Sequence, residues 1–190
     1  MAQEIAINLF SGLLGGIIAL ISERIVSKPF LKVGSVIGPK GIGAEYVAEE
    51  DSVDFSANAY RLEIKNQGFF IFGNSAINCR CELNVNGVPD KFWLPWNIFE
   101  HPKDECECTS INRGSFSIID ICARLLDDDY SKGSIILAHD GWYHNPIKIG
   151  NGKSPLDCSI RITSENGGLL EKKFTILPIG DDEIELDFDK

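Results

Sequence analysis

The sequence predicts a mainly β protein, an antiparallel β-sandwich that follows a single hydrophobic helix. Three observations predict it: one uncharged apolar run near the start, several runs that alternate apolar and polar residues, and turn sequences between those runs with no repeated helical crossover. We expect three parts, an anchor helix over 1–26, a β-sandwich domain over 27–180 and an acidic tail over 181–190.

The apolar run begins at Ile5, ends at Ile21 and contains no charged residue. As a helix it would measure about 26 Å, close to the ~30 Å hydrocarbon core of a bilayer. The MAQE segment before it lacks the basic residues of a secretory signal peptide. The basic residues follow the run, at Arg24, Lys28, Lys32 and Lys40. By the positive-inside rule we expect a single-pass membrane protein with a cytoplasmic head.

Small residues recur within this run at the spacing of one helix face. Ser11, Gly15 and Ala19 are four apart, and Gly12 and Gly16 repeat the spacing one position along. Such a ridge lets two helices approach closely in lipid, which predicts self-association of the anchor. The alternative is that glycine is simply frequent in membrane helices.

The predicted strands follow from a period of two. In the INCRCELNV segment, one face is formed by Ile77, Cys79, Cys81, Leu83 and Val85, and the other is polar. The same pattern sets Tyr60, Leu62 and Ile64 against Arg61, Glu63 and Lys65, and Cys158, Ile160 and Ile162 against Ser159, Arg161 and Thr163. We place the apolar face of each run in the core and the polar face in water. Further strands are predicted at 30–37, 116–125, 135–139 and 172–177.

The charge and the motifs of the chain argue against several classes of function. The net charge is -10 and no basic stripe is present, which argues against nucleic acid as a partner and against wide contact of the head with anionic lipid. The three histidines, His101, His139 and His144, stand in no nucleophile or metal motif. We therefore expect a protein that is not an enzyme and that needs no cofactor.

Two Cys-x-Cys pairs provide the one candidate metal site. Cys79, Cys81, Cys106 and Cys108 could surround a structural zinc ion, because residues two apart on a strand point to the same side. The alternatives are unligated thiols, since free cysteine packs as a small apolar residue, and disulfides in an exported head.

Aromatic residues mark two predicted loops. Trp93 and Trp96 flank a proline, and Trp142 and Tyr143 follow an Asp-Gly turn. Tryptophan and tyrosine are enriched at binding surfaces, so these four residues are the candidate partner-binding site. Packing across one end of the sandwich is the alternative.

The chain also resembles a group of uncharacterised prokaryotic proteins. The resemblance lies in a hydrophobic helix ending in ERI, the segment KPFLKVG, and four longer segments: YRLEIKNQG, AINCRCEL, INRGSFSIIDICARL and CSIRITSENGGLLEKKFTI. Members of the group are similar to immunoglobulin-like domains tethered by one membrane helix. The resemblance implies an immunoglobulin-like sandwich and a tether, and it implies no activity or catalytic residue.

Two functions are consistent with this sequence. The first is a non-enzymatic, membrane-anchored binding or scaffolding module that recruits another protein through its β head. The alternative is a pilin-like subunit of a filament or oligomer, whose hydrophobic helix forms the assembly core and whose β head lies outside.

Overall fold

The structure is a computed structural model that describes residues 12–20, 28–47, 52–67, 73–97, 108–126, 132–138 and 147–188. Within those ranges the chain forms eleven strands, and every strand pairing is antiparallel. The strands are β1 (Leu31–Val47), β2 (Ser52–Asn66), β3 (Ala76–Val85), β4 (Lys91–Leu94), β5 (Thr109–Ile111), β6 (Phe116–Leu125), β7 (Ile135–Leu137), β8 (Lys148–Gly150), β9 (Leu156–Thr163), β10 (Leu169–Ile179) and β11 (Glu183–Phe188).

The strands form two sheets. The first has the order β1-β2-β6-β7-β8, and the second has the order β11-β10-β9-β3-β4 with β5 also paired to β3. The chain crosses from one sheet to the other after β2, after β5 and after β8. This architecture confirms the predicted mainly β, two-sheet, antiparallel fold.

One hydrophobic core joins residues of both sheets. Alternate residues of β2 and β6 are buried in the same cluster as alternate residues of β3, β9 and β10, as the period of two requires. The largest fully buried side chains include Trp96, Tyr60, Leu62, Ile64, Leu83, Leu94, Ile111, Ile119 and Ile121. The predicted inward faces of β9 and of the last part of β2 are therefore confirmed.

The start of β3 departs from the predicted alternation. Ile77, which we placed in the core, is 45% exposed, while its neighbour Ala76 is fully buried. The register with β5 shifts between Ala76 and Cys79, and Asn78 adopts a positive φ of 48°. Asparagine tolerates this left-handed conformation, and the resulting bulge inverts the alternation for the residues before it.

The predicted water-facing side of β2 is also partly wrong. Arg61 is only 2% exposed, and its Nε lies 3.0 Å from Oδ1 of the fully buried Asp120 on β6. The register of β2 with β6 shifts at this point, between Tyr60 and Arg61. Ala57 and Ala59, on the same face of β2, are buried as well. A strand covered on both faces cannot be recognised from alternation, and a paired partner is what allows the buried guanidinium.

The acidic segment that we predicted as a tail forms a strand instead. β11 pairs with β10 from Glu183 to Phe188, and Ile184 and Leu186 are buried in the core. The ring of Phe188 stacks on Phe174 with centroids 4.9 Å apart. High net charge concealed the alternation of these apolar residues with Glu183, Glu185 and Asp187, which suits an edge strand. Trp93, predicted in a loop or an edge segment, lies in β4 at the edge of the second sheet.

At the end of the sandwich where the chain enters, here called the entry end, a buried asparagine joins several segments. The Nδ2 group of Asn66 donates to the carbonyl oxygens of Asn74 and Ile111, at 2.9 and 3.0 Å. Its Oδ1 accepts from the backbone N–H of Phe30 at 3.2 Å. One fully buried amide thus connects the entering chain to the loops before β3 and after β5.

At the opposite end, here called the far end, Arg124 of β6 has the corresponding role. Its guanidinium donates to the carbonyl oxygens of Asp181, Glu183 and Gly180 at 2.9, 2.8 and 3.1 Å. A further hydrogen bond of 3.3 Å reaches the carbonyl oxygen of Gly152. The guanidinium therefore attaches the β10–β11 hairpin of the second sheet to the first sheet.

Residues 12–20 form a helix, and none of its nine residues is buried. No helix within the described residues is long and apolar enough to cross a membrane. The rest of the run from Ile5 to Ile21, on which the predicted span depends, lies outside the described residues.

Replacing Arg124 should destabilise the sandwich strongly. Arg124→Ala removes a buried side chain and leaves four carbonyl groups without their donor, so we expect the free energy of unfolding to fall by about 3 kcal/mol. Arg161→Ala is the matched control, because Arg161 pairs with Glu171 at the surface and should contribute less than about 0.5 kcal/mol. Urea denaturation followed by circular dichroism measures both. Equal losses for the two variants would contradict the role of Arg124.

Candidate functional site

The outer face of the second sheet carries the one sequence-predicted aromatic residue that is exposed among those described. Trp93 is 61% exposed and lies opposite Glu82 in the pairing of β4 with β3. The side chain of Glu82 forms an ion pair with Lys91, with Nζ and Oε1 2.7 Å apart. Trp93 is thus held on a regular strand beside a charged pair.

Strand register places the neighbours of Trp93 in two rows that cross β10, β9, β3 and β4. The first row is Glu171, Arg161, Glu82 and Trp93, and the second is Lys173, Ser159, Asn84 and Lys91. These eight residues are here called the Trp93 face. Arg161 and Glu171 form a second ion pair, with Nε and Oε1 3.1 Å apart.

Two open grooves lie on this face. A groove of about 400 Å³ is lined by members of both rows, including Glu82, Lys91, Arg161 and Lys173. A second groove of about 660 Å³ shares Asn84, Ser159 and Lys173 with the first and continues to Asp157 and Thr175. Trp93 and Arg161 are of residue types enriched at protein interfaces, whereas the glutamates, lysines and serine around them are typical of ordinary protein surface.

Trp96, only three residues further, is a core residue. It is 2% exposed, its Nε1 donates to the carbonyl oxygen of Cys79 at 3.0 Å, and it forms an isolated bridge with Ile119 of the first sheet. This is the packing alternative of the sequence analysis, so the side chain of Trp96 offers no surface to a partner. Trp142 and Tyr143 lie outside the described residues.

The structure brings together only part of the predicted metal site. Cys79 and Cys81 are fully buried on the core side of β3, and Cys108 is exposed directly before Thr109, the β5 residue that pairs with Cys79. Cys106 lies outside the described residues. Within the described ranges, no group of three or more histidine, cysteine, aspartate or glutamate residues is placed to hold a metal ion.

Burial keeps the core thiols protonated. It raises the pKa of Cys79 to about 11 and that of Cys158 to about 12, and it also raises the pKa values of Cys81 and Cys122 well above the ordinary thiol range. In Cys79 a backbone hydrogen bond involving Ile111 partly opposes this increase. Since the thiolate is the nucleophile and the metal ligand, these four thiols are poor in both roles as the structure stands.

The predicted helix-association residues are exposed where they are described. Gly12, Gly15 and Gly16 have no atom within 4 Å of a Cβ built on them, and Ala19 is exposed. Ser11 lies outside the described residues. The small-residue ridge is thus free within the described chain.

The sequence analysis missed the groove residues Asn84, Ser159 and Lys173. In sequence they are ordinary members of polar faces, and only strand register brings them into one row. The alternation of β3 and β9 does indicate that Asn84 and Ser159 face outward. Alternation gives no information on the order of the strands in the sheet.

Comparisons with models of protein families, with curated proteins and with solved structures found no match to this chain. No functional residue is therefore transferred from another protein. The roles proposed below rest on the geometry of the described residues.

We expect the cysteines to differ sharply in reactivity. Among the described cysteines, Cys108 should be alkylated first by iodoacetamide at pH 8, because the buried thiols remain protonated and inaccessible below their raised pKa values. Peptide mass spectrometry before and after denaturation measures each site. Alkylation of Cys81 in the native protein as fast as that of Cys108 would contradict the assignment of Cys81 to the core. Faster alkylation of Cys79 after a chelator is added would indicate bound metal.

Proposed function

We propose that this protein is a non-enzymatic, membrane-anchored module whose β-sandwich head binds or scaffolds another protein. The observation that carries the proposal is the exposed apolar helix at 12–20. Its large aliphatic side chains, Leu13, Leu14, Ile17, Ile18 and Leu20, are between 46 and 65% exposed.

Water is an unfavourable environment for this helix. Burying five such side chains in an apolar medium is favourable by roughly 1.5 to 3 kcal/mol each when the burial is complete. The same apolar sequence extends on both sides of the helix, from Ile5 to Ile21. A lipid bilayer is the apolar environment that suits an uncharged run of this length.

The charges after the run support a cytoplasmic head. Arg24, Lys28, Lys32 and Lys40 all follow it, and basic residues near the end of a span favour the cytoplasmic side. The cysteines support the same location, since those that are described are free thiols, as in a reducing compartment.

Strand order supports an immunoglobulin-like arrangement of the head. The row β10-β9-β3-β4 corresponds to strands G, F, C and C′ of a variable-type domain, and β1-β2-β6 corresponds to A, B and E. Four features depart from that pattern: β8 extends the first sheet beyond β7, β5 is an additional strand paired to β3, and the other two concern β7 and β11. β7, which follows β6 in the chain, takes the place of strand D, and β11 extends the second sheet beyond G.

The head's binding surface in this proposal is the Trp93 face. It offers an exposed aromatic anchor, two ion pairs and open grooves, which suit a protein surface of mixed charge. Burial raises the pKa of each of the four core thiols among the described residues. Unlike a nucleophilic cysteine, none of these four has a lowered pKa.

Membrane flotation tests the anchor. The full chain, expressed in cells and washed with alkaline carbonate, should float with the lipid fraction, because an inserted helix resists extraction. The double variant Leu13→Asp and Leu14→Asp should lose flotation, because these residues lie at the centre of the run from Ile5 to Ile21. A charged residue at the centre of a span is unfavourable by about 2.5 to 3.5 kcal/mol. Ile179→Asp, at an exposed position of the head, is the matched control and should still float.

The same experiment distinguishes the membrane-anchored module from the pilin-like alternative. A filament subunit would sediment as a large particle without lipid, and the two helix substitutions would dissolve the particle. Recovery of the unmodified chain in the soluble fraction as a monomer would contradict both functions.

A further inference from the structure

The entry end of the sandwich carries exposed apolar side chains from four separate segments. Phe30, Ile77, Phe116 and Leu169 are 57, 45, 55 and 54% exposed. They come from the entering chain, the bulge of β3, the start of β6 and the start of β10. These residues are here called the entry-end apolar set.

Hydrogen bonds show that these segments lie at one end. The backbone N–H of Gln67 donates to the carbonyl oxygen of Phe30 at 3.0 Å, and Asn66 bonds to Ser115, directly before Phe116. On the other sheet, the side chain of Asn166, three residues before Leu169, accepts from the N–H of Ile77 at 3.2 Å.

The two sheets also meet directly at this end. A Cβ added to Gly168 would stand 2.6 Å from Pro29 and 3.4 Å from Leu31. The segment before Leu169 therefore packs against the entering chain, and the four apolar residues surround a single end of the sandwich.

The chain outside the sandwich begins at this same end. Helix 12–20 is followed by seven residues and then by Lys28, which lies beside Gly167. Eight peptide steps reach at most about 28 Å, so the end of the apolar helix stays within that distance of the entry end. The ten residues of β6 place the far end roughly 33 Å further away.

The entry end also carries cations. Lys28 and Arg113 are exposed there, and Lys32 is half-buried near them, beside the exposed acidic residue Glu165. The far end combines Asp181, Asp182 and Glu183 with the exposed Lys132 and Lys153. What distinguishes the entry end is therefore the four exposed apolar side chains beside its cations, and the cationic contact is confined to this end of an otherwise acidic head. Cations beside exposed aromatic and aliphatic side chains match the interface of an anionic bilayer, where apolar groups insert and lysine or arginine meets the headgroups.

We infer that the entry end lies against the phospholipid surface, with Phe30, Ile77, Phe116 and Leu169 in the interface and the β10–β11 hairpin pointing away. The inference rests on the proposed membrane anchor. It adds that the head is docked end-on by its own side chains and does not swing freely on its linker. The Trp93 face, on the side of the sandwich, then remains accessible to a protein.

Photo-crosslinking of the full chain in lipid vesicles tests the inference. A benzophenone side chain is placed at one position at a time: Phe116, Phe30, Leu13 in the helix, or Trp93 as the matched exposed control. The vesicles contain phosphatidylethanolamine and phosphatidylglycerol. Mass spectrometry of the irradiated protein measures the fraction that carries a lipid adduct.

We expect adducts at Leu13 from the anchor, and adducts at Phe116 and Phe30 that exceed those at Trp93 several-fold. The Phe116 adduct should decrease in vesicles of phosphatidylcholine alone or at high salt, because the cationic contribution is then lost. Adducts at Leu13 with none above the Trp93 level at Phe116 and Phe30 would overturn the docked end and leave the anchor intact. Absence of adducts at Leu13 would overturn the membrane anchor itself.

Discussion

The buried amide of Asn66 is the interaction on which the arrangement of the entry end depends. An antiparallel sandwich is closed along its sheets by hydrogen bonds and through its core by apolar contacts, but its ends are loops whose backbone groups need partners. Asn66 supplies them for three segments that are distant in sequence, through Phe30, Asn74 and Ile111. Its own carbonyl oxygen and N–H bond to Gly114 and Ser115. One side chain therefore joins the entering chain to two segments of the second sheet.

The proposed function depends on a difference between the two ends of the sandwich. The entry end receives the chain from an exposed apolar helix and carries the entry-end apolar set beside Lys28 and Arg113. The far end is fastened by Arg124 and carries the acidic hairpin beside exposed lysines. Between the two ends, the second sheet presents the Trp93 face on its outer side. A head held by one end at a bilayer leaves that face open to a partner, which is what a recruiting or scaffolding module requires.

Much of the fold is predictable from sequence, and the failures have identifiable causes. The interval 116–125 matches β6, and the inward residues of β9 follow directly from alternation. Alternation fails at Ile77 because Asn78 forms a bulge, at Arg61 because both faces of β2 are buried there, and in β11 because acidic residues conceal a strand. The candidate face was only partly predictable. Trp93 is evident in sequence, but Asn84, Ser159 and Lys173 become neighbours only through strand order, which a single sequence does not encode locally.

Hydrogen–deuterium exchange of Asn66→Ala, compared with the unmodified chain, tests the organising role of this amide most directly. The account predicts faster exchange at the amides of Phe30, Gln67 and Gly114 and in the loop before β3, with no change at Ile184, whose N–H bonds to the Tyr60 hydroxyl at the far end. Asn84→Ala, an exposed asparagine of the Trp93 face, is the control and should change neither end. An unchanged pattern in Asn66→Ala, or an equal increase at both ends, would contradict the claim that Asn66 organises the entry end.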